Sequence, residues 1–234
     1  HLYLPEPAFI IERFDRVPGP EEPLRLHVLD GTQMLNEPAF NKYASETIPN
    51  LKNLIGQCRN KALARMEVFR WIVFNTMVGN SDSHLKNISF IVGHEGISVA
   101  PFYDLLCTAV YHTRVFLDEG AVWPNEKLAS PVAGANFFSE VTYDKLIDTG
   151  LELGLSKSAA GREVGKIVGR LAGAADEIIA QLESILADPG TPQGAPSQMT
   201  KAADRRMLRS IRAIVIADML RYVRLPVAAA KEPQ

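Results

Sequence analysis

Apolar residues recur at helical spacing along the segment from Leu51 to Val78. The spacing predicts a helix, and neighbouring Trp71 and Phe74 widen the apolar stripe until most of the surface is apolar. We therefore expect a buried central helix. It should end at Gly79-Asn80, a pair that suits a helix stop with a left-handed residue. The stripe itself consists of Leu63, Met66, Phe69, Val73 and Met77.

Shorter apolar runs predict the β-structure. Residues Ile88–Val92 and Ile97–Ala100 are separated by Gly93-His94-Glu95-Gly96, which predicts a hairpin with a tight turn. The run Ala8–Phe14 is rich in apolar and β-branched residues and predicts a strand. One short helix is predicted near Asp30 to Leu35.

The C-terminal third predicts three helices, Tyr143–Leu153, Ser158–Leu186 and Met199–Val223, with a Pro/Gly-rich linker over 188–196. The predicted fold class is therefore α+β and mainly α, with a small β-hairpin. One apolar stripe is predicted to face the core: Ile167, Leu171, Ile178, Leu182 and Ile185. One basic cluster is predicted to form a solvated face: Lys201, Arg205, Arg206, Arg209 and Arg212.

Composition limits the classes of partner. The chain has 234 residues, 47% hydrophobic and 22% charged, which is typical of a globular domain with a substantial core. The net charge of -2 provides no strong field toward phosphate backbones or anionic lipid, so no direct nucleic-acid binding is expected.

The cysteines and the hydropathy bear on location. Cys58 and Cys107 are far apart in sequence, which favours a reducing compartment and argues against a zinc site. No apolar run approaches the roughly 20 residues that a membrane helix needs. We predict a cytoplasmic protein with no membrane contact.

Three oxygen-bearing side chains surround the predicted hairpin. Asp82 follows the central helix, Asn87 lies five residues later at the start of the hairpin, and Asp104 follows the second strand. Because a hairpin returns the chain to its starting point, we expect these side chains to meet at one end of the ribbon. Mg²⁺ prefers such oxygen ligands and takes only one or two carboxylates from a protein. Asn87 and Asp104 are the predicted metal ligands.

The order of these residues is that of phosphoryl transfer enzymes. Such catalysis depends on positioning and charge neutralisation, with one carboxylate accepting the proton of the attacking hydroxyl. Asp82 is placed for that role. The D-x-x-x-x-N spacing, the hairpin and the second Asp follow the order in protein kinases. Phe102-Tyr103-Asp104-Leu105 occupies the position of D-F-G, without the Gly.

Each residue alone has an ordinary structural alternative. Asp82 can cap a turn, Asn87 can be a loop amide, and Asp104 can be the N-cap of a helix that begins at Leu105. His84 and Lys86 are residues that are usually packed or solvated. The combined pattern of helix, loop, hairpin and second Asp favours the catalytic interpretation over these alternatives.

At these positions the sequence resembles the HipA family of bacterial serine/threonine kinases, the toxins of toxin-antitoxin pairs. Three blocks of the chain, spread over about a hundred residues, agree in order with the family pattern. They are Ile11-Glu12-Arg13-Phe14-Asp15-Arg16, then Phe69-Arg70-Trp71 through Gly79-Asn80-Ser81-Asp82-Ser83-His84-Leu85-Lys86-Asn87-Ile88-Ser89, and Ala100-Pro101-Phe102-Tyr103-Asp104-Leu105-Leu106.

The resemblance implies the helical C-lobe of a protein-kinase-like fold that uses ATP and Mg²⁺. It implies Asp82 as the general base and Asn87 and Asp104 as the metal ligands. Lys86 would neutralise charge on the transferring phosphate. The resemblance also implies four nucleotide contacts, with Glu12 and Phe14 at the adenine edge and His84 and Tyr103 near the nucleotide.

The N-terminal block has an open alternative. Glu12 can be an ordinary strand residue and Phe14 a core residue. Asp15 and Arg16 are interpreted as a structural ion pair.

The resemblance stops short of a complete kinase. Kinases need a glycine-rich loop and a strand lysine, which in the HipA family precede the hinge, and here the hinge lies within the first dozen residues or so. We therefore expect residues 1–26 to be a hinge strand and linker and residues 27–234 to be the helical lobe. The autophosphorylated serine of the family would also lie in the part before the hinge. The chain is expected to be the C-terminal portion of a longer kinase and to transfer phosphate poorly alone.

The resemblance implies partners by analogy. They are a protein substrate, such as a translation factor or an aminoacyl-tRNA synthetase, and a HipB-like helix-turn-helix antitoxin. Two alternatives stay open. One is a small-molecule phosphotransferase of similar fold, and the other is a non-catalytic module that binds an antitoxin.

Overall fold

The computed structural model describes residues 2–3, 7–8, 10–187 and 198–226. They form a mixed structure in which helices predominate over small antiparallel sheets, which confirms the predicted fold class. The strands are β1 (Leu2–Tyr3), β2 (Pro7–Ala8), β3 (Arg16–Val17), β4 (Leu24–Arg25), β5 (His27–Asp30), β6 (Ser89–Gly93), β7 (Gly96–Val99), β8 (Lys127–Val132) and β9 (Ala135–Phe137). The helices are α1 (Gly31–Met34), α2 (Ile48–Gln57), α3 (Lys61–Met77), α4 (Tyr143–Glu152), α5 (Lys157–Ala187), α6 (Gln198–Ser210) and α7 (Ala217–Tyr222), with a π-helical segment, Ile211–Ile216, before α7.

The predicted hairpin is present as β6 and β7. Gly93 pairs with Gly96 at the turn, and Gly96 has a φ of +117°, a value that favours glycine. A third strand, β5, pairs antiparallel with β6 and was not predicted. The resulting sheet carries Phe90, which is fully buried, toward the helices.

The predicted central helix is two helices. Cys58 has extended backbone and forms an isolated bridge with Ile97 of the hairpin, so the chain breaks after α2. Asn60 then caps α3 by accepting a hydrogen bond from the backbone N–H of Leu63, at 3.0 Å. Leu63 is 47% exposed because it lies in this first turn, and its predicted place in the buried stripe is wrong.

The core surrounds α3. Phe69 and Trp71 are fully buried, and α5 packs against both α3 and α4. Gly150 allows the close approach of α4, since a Cβ there would lie 2.7 Å from the Cβ of Ala160 and 3.2 Å from the Phe69 ring. The buried helix therefore fixes the point at which the chain emerges after Met77.

The predicted strand over 8–14 is wrong from residue 10 onward, since only Ala8 of its described residues lies in a strand. Residues 10–13 have no regular structure, and Phe14 begins a turn that leads into β3, which pairs with β4. Ile10 and Ile11 are 66% and 65% exposed. Consecutive apolar residues predicted a strand, but no described strand pairs with residues 10–14. The proposed division at residues 26 and 27 stays a prediction.

The C-terminal helices lie close to their predicted bounds, and the linker over 188–196 falls outside the described residues. Ile178 is 55% exposed, so the predicted apolar stripe turns out of the core along α5. The basic face is not simply solvated, because Arg212 makes two hydrogen bonds to Asp176, at 2.8 and 3.0 Å. None of the described helices is long and apolar enough to cross a membrane.

Candidate active site

A left-handed glycine ends α3 and directs the chain into the predicted catalytic loop. Gly79 has a φ of +70°, which confirms the predicted helix stop. A Cβ at this position would lie 2.6 Å from Val215 Cγ1 and 2.9 Å from the Cβ of Ala109. Only glycine satisfies both the conformation and the space, so the loop after α3 has a fixed starting direction.

Asn80 joins the two loops that carry the predicted aspartates. Its Nδ2 donates to Asn75 Oδ1 at 2.8 Å and to the carbonyl oxygen of Asp104 at 3.2 Å, and its Oδ1 accepts from the backbone N–H of Asp82 at 3.1 Å. The side chain is almost fully buried. Sequence reasoning missed this role. An asparagine directly after a left-handed glycine and two residues before Asp82 was the available signal.

Asn87 is held against the same loop. It ends a short 3₁₀ turn, Leu85–Asn87, and its Nδ2 donates to the carbonyl oxygen of Asp82 at 3.0 Å. The residue is 6% exposed. Because the amide nitrogen is used by the protein, the amide oxygen is the atom available to a ligand.

The ordinary alternatives for the two aspartates do not match the structure. No helix begins at Leu105, and the next helical turn is Thr108–His112, so Asp104 is not an N-cap. Asp104 instead is exposed and has a φ of +56°, a strained value for a residue with a Cβ. The turn at Asp82 is capped by Asn80, and no described backbone N–H donates to the Asp82 carboxylate.

His84 is buried beside a lysine that the sequence analysis did not select. Its Nε2 lies 2.8 Å from Lys42 Nζ and 4.0 Å from the Asp82 carboxylate. Burial, followed by the Lys42 charge, lowers the pKa of His84, so the imidazole is neutral near pH 7. An ammonium group only donates, so Nε2 is the acceptor and Nδ1 carries the proton, without a partner among the described residues.

Tyr103 connects the hairpin, the 3₁₀ turn and the N-terminal segment. Its hydroxyl donates to the carbonyl oxygen of Lys86 at 2.6 Å and accepts from Ser89 Oγ at 2.7 Å. Burial raises the pKa of this phenol. The Phe14 ring stacks on Tyr103 with centroids 6.1 Å apart. The structure therefore brings two predicted nucleotide contacts together.

Two other predicted residues stand apart. Glu12 and Lys86 are exposed, and within the described ranges neither side chain forms a hydrogen bond or ion pair with the other candidates, although the Lys86 carbonyl oxygen accepts from Tyr103. The ion pair predicted between Asp15 and Arg16 is confirmed at 2.6 Å, and Arg13 joins it. Hydrogen bonds from Arg13 hold the pKa of Asp15 well below its usual range.

The available oxygen donors suit Mg²⁺ better than they suit a metal ion whose ligands all come from the protein. Across the described part of the chain, no group of three or more His, Cys, Asp or Glu side chains converges as a metal site. Asn87 Oδ1 and the exposed Asp104 carboxylate supply two hard oxygen donors. Mg²⁺ typically takes one or two protein ligands and completes its shell with water and phosphate. The donor set therefore suits a nucleotide-bound Mg²⁺.

Comparison with known proteins identifies the family. The family model of the HipA-like C-terminal domain matches residues 2–179. The chain belongs to this family. It is a HipA-like protein, C-terminal part, which confirms the resemblance carried by the three sequence blocks.

Individual relatives agree with the family. The serine/threonine-protein kinase toxin HipA of Shewanella oneidensis is 32% identical over 44% of this chain, and the matched region is 28% of that protein. A solved HipA chain from the same species, in a complex with HipB and operator DNA, has a TM-score of 0.69 and 25% identity over 90% of this chain. The match covers 47% of that chain, so this HipA-like chain spans less than half the length of these relatives.

Proposed function

We propose that this HipA-like chain is the C-terminal part of an ATP-dependent serine/threonine protein kinase. One observation carries the proposal. The buried Asn80 amide hydrogen-bonds to the main chain at both Asp82 and Asp104, and Asn87 bonds to the same loop, so the predicted base and metal ligands share one rigid support. Kinase relatives in the family support the same reaction class.

In the proposed reaction, Asp82 accepts the proton of a protein hydroxyl. The hydroxyl oxygen forms a bond to the γ-phosphorus of ATP, the bond from that phosphorus to the β,γ-bridging oxygen breaks, and ADP leaves. A Mg²⁺ ion held by Asn87 and Asp104 would neutralise charge on the phosphates. The exposed Lys86, which pairs with no described acidic side chain, would extend toward the transferring group.

The nucleotide contacts follow from the neighbouring rings. Phe14 and Tyr103 form a stacked pair, which suits one side of an adenine site. Glu12 would contribute at the adenine edge through its backbone. His84 would lie near the nucleotide, and Lys42 adds a positive charge beside it.

The substrate and partner are proposed by analogy with the relatives. We infer a protein acceptor such as a translation factor or an aminoacyl-tRNA synthetase, and a HipB-like antitoxin, because the solved HipA chain is in a complex with HipB. Since the chain spans 28% of one relative and 47% of another, we also propose that it acts within a longer protein. The proposed location is the cytoplasm.

Two single substitutions in the full-length protein test the proposal. Asp82→Asn should lower transfer of labelled phosphate to a panel of purified aminoacyl-tRNA synthetases by roughly 10²–10⁴-fold while Mg-ATP binding is retained. Asp104→Asn should weaken both transfer and Mg-ATP binding. Asp148→Asn, an exposed change on α4, serves as the control and should alter neither. Transfer that survives both active-site substitutions would refute the assigned roles.

A further inference from the structure

A short segment before α2 lies directly over the catalytic loop. Lys42 follows a 3₁₀ turn, and its carbonyl oxygen accepts a hydrogen bond from the backbone N–H of Leu85 at 3.3 Å. Its ammonium group contacts His84 Nε2 at 2.8 Å. We call the residue pair Lys42 and Tyr43 the strap. These two contacts of Lys42 therefore fix the strap to the loop at His84 and Leu85, just after Asp82.

Tyr43 uses this support to reach the predicted base. Its ring packs edge-on against the His84 ring, with centroids 5.1 Å apart and an interplanar angle of 75°. Its hydroxyl donates a hydrogen bond to Oδ1 of Asp82. This bond raises the pKa of Tyr43 to about 12, so the phenol stays protonated and remains a donor at neutral pH.

The bond leaves the carboxylate with one oxygen engaged and one free. Within the described ranges, Oδ2 of Asp82 has no hydrogen-bond partner, and the side chain is 46% exposed. A carboxylate on a loop otherwise rotates among several conformers. A general base must stay within hydrogen-bond reach of the proton it removes. A donor fixed to Oδ1 therefore restricts the rotation of the carboxylate and leaves Oδ2 free to accept a proton.

We propose that Tyr43 is a positioning residue, whose hydroxyl holds Oδ1 of Asp82 so that Oδ2 accepts the proton of the attacking hydroxyl. The inference rests on the proposed function, because it assigns Tyr43 a role through Asp82. It adds a residue that lies outside the three sequence blocks and 39 positions before the base.

The test uses hydrolysis of Mg-ATP by the full-length protein, with water as the acceptor. The water oxygen bonds to the γ-phosphorus, Asp82 takes its proton, and ADP leaves, so no unidentified substrate is needed. Tyr43→Phe keeps the ring against His84 and removes only the hydroxyl. We expect kcat to fall roughly tenfold with an unchanged KM for Mg-ATP, because one hydrogen bond to a charged group is lost. Tyr111→Phe, the same change at an exposed tyrosine outside the site, should leave kcat unaltered.

A double substitution separates positioning from a structural role. In an Asp82→Asn background, Tyr43→Phe should cause no further loss, because its effect passes through the carboxylate. Three results would overturn the inference and leave the proposed function standing. They are an unchanged or raised kcat for Tyr43→Phe, a raised KM for Mg-ATP, and an equal fall in kcat in both backgrounds. If the unaltered protein hydrolyses no ATP and transfers no phosphate, the proposed function fails and this inference fails with it.

Discussion

Replacing Asn80 with alanine removes the link between the two aspartate loops. The substitution deletes two donated hydrogen bonds, to Asn75 Oδ1 and to the Asp104 carbonyl oxygen, and one accepted from the Asp82 N–H. The Asn75 side chain keeps only its bond to the Trp71 carbonyl oxygen, at 2.9 Å. Because these groups are buried or partly buried, water replaces the lost partners poorly.

The magnitude follows from the number of bonds. Each bond contributes about 1 kcal/mol net, and a buried group left without a partner costs about 1–3 kcal/mol. We therefore expect Asn80→Ala to lower the free energy of unfolding by about 2–4 kcal/mol. Phosphate transfer should fall as well, since both aspartates lose a main-chain contact that holds their loops.

Denaturant unfolding of Asn80→Ala, Asn75→Ala and the double variant measures the effect. The double-mutant cycle should give a coupling energy of about 1 kcal/mol for the Asn75 to Asn80 bond. Asn53→Ala, at an exposed position on α2, provides a control that should change stability by less than about 0.5 kcal/mol. A loss below about 1 kcal/mol for Asn80→Ala, with no coupling, would refute the assignment of Asn80 as the link.

Three further outcomes follow from the packing and the buried charges. Gly79→Ala should destabilise the protein by more than about 1 kcal/mol, because the new Cβ meets Val215 and because the alanine backbone must adopt a positive φ. Burial raises the pKa of Glu46 well above its usual value, so folding takes up a proton above the unfolded pKa, and Glu46→Gln should stabilise the protein increasingly as pH rises from about 4 to 7. The pKa of Glu163 is shifted in the opposite direction to that of Glu46. Its bond to Arg70, at 2.6 Å, lowers its pKa, so Glu163→Gln should cost about 1–2 kcal/mol near pH 7 and nothing once pH falls below its folded pKa.

Unfolding measured in denaturant from pH 7 down to below the folded pKa of Glu163 checks all three. A neutral Gly79→Ala would mean that the loop has room to shift. A pH-independent effect of Glu46→Gln would show that Glu46 is ionised in the fold. A loss for Glu163→Gln that persists in acid would assign its effect to packing rather than charge.

Local patterns predicted the elements around the site. The helix end at Gly79, the hairpin and the order of Asp82, Asn87 and Asp104 depend on neighbouring residues, and the glycines that allow the turns are visible in the sequence. The family resemblance was equally local, since its blocks are short and contiguous. These features were therefore within reach of sequence reasoning.

Contacts between distant segments were not predicted. The pairing of β5 with β6 joins residues about sixty positions apart, and Tyr43 reaches Asp82 across 39 positions. Ile10 and Ile11 were predicted to lie in a strand but are exposed, since an apolar run alone does not show whether a partner strand exists. The role of Asn80 was missed because a buried amide and a surface amide look the same in sequence.

A crystal structure of the full-length protein with Mn²⁺ and a non-hydrolysable ATP analogue tests the central claim most directly. The anomalous signal of manganese should lie about 2.0–2.4 Å from Asn87 Oδ1 and an Asp104 carboxylate oxygen, with Asp82 facing the γ-phosphate and not bound to the metal. A metal and nucleotide bound away from these residues would contradict the account.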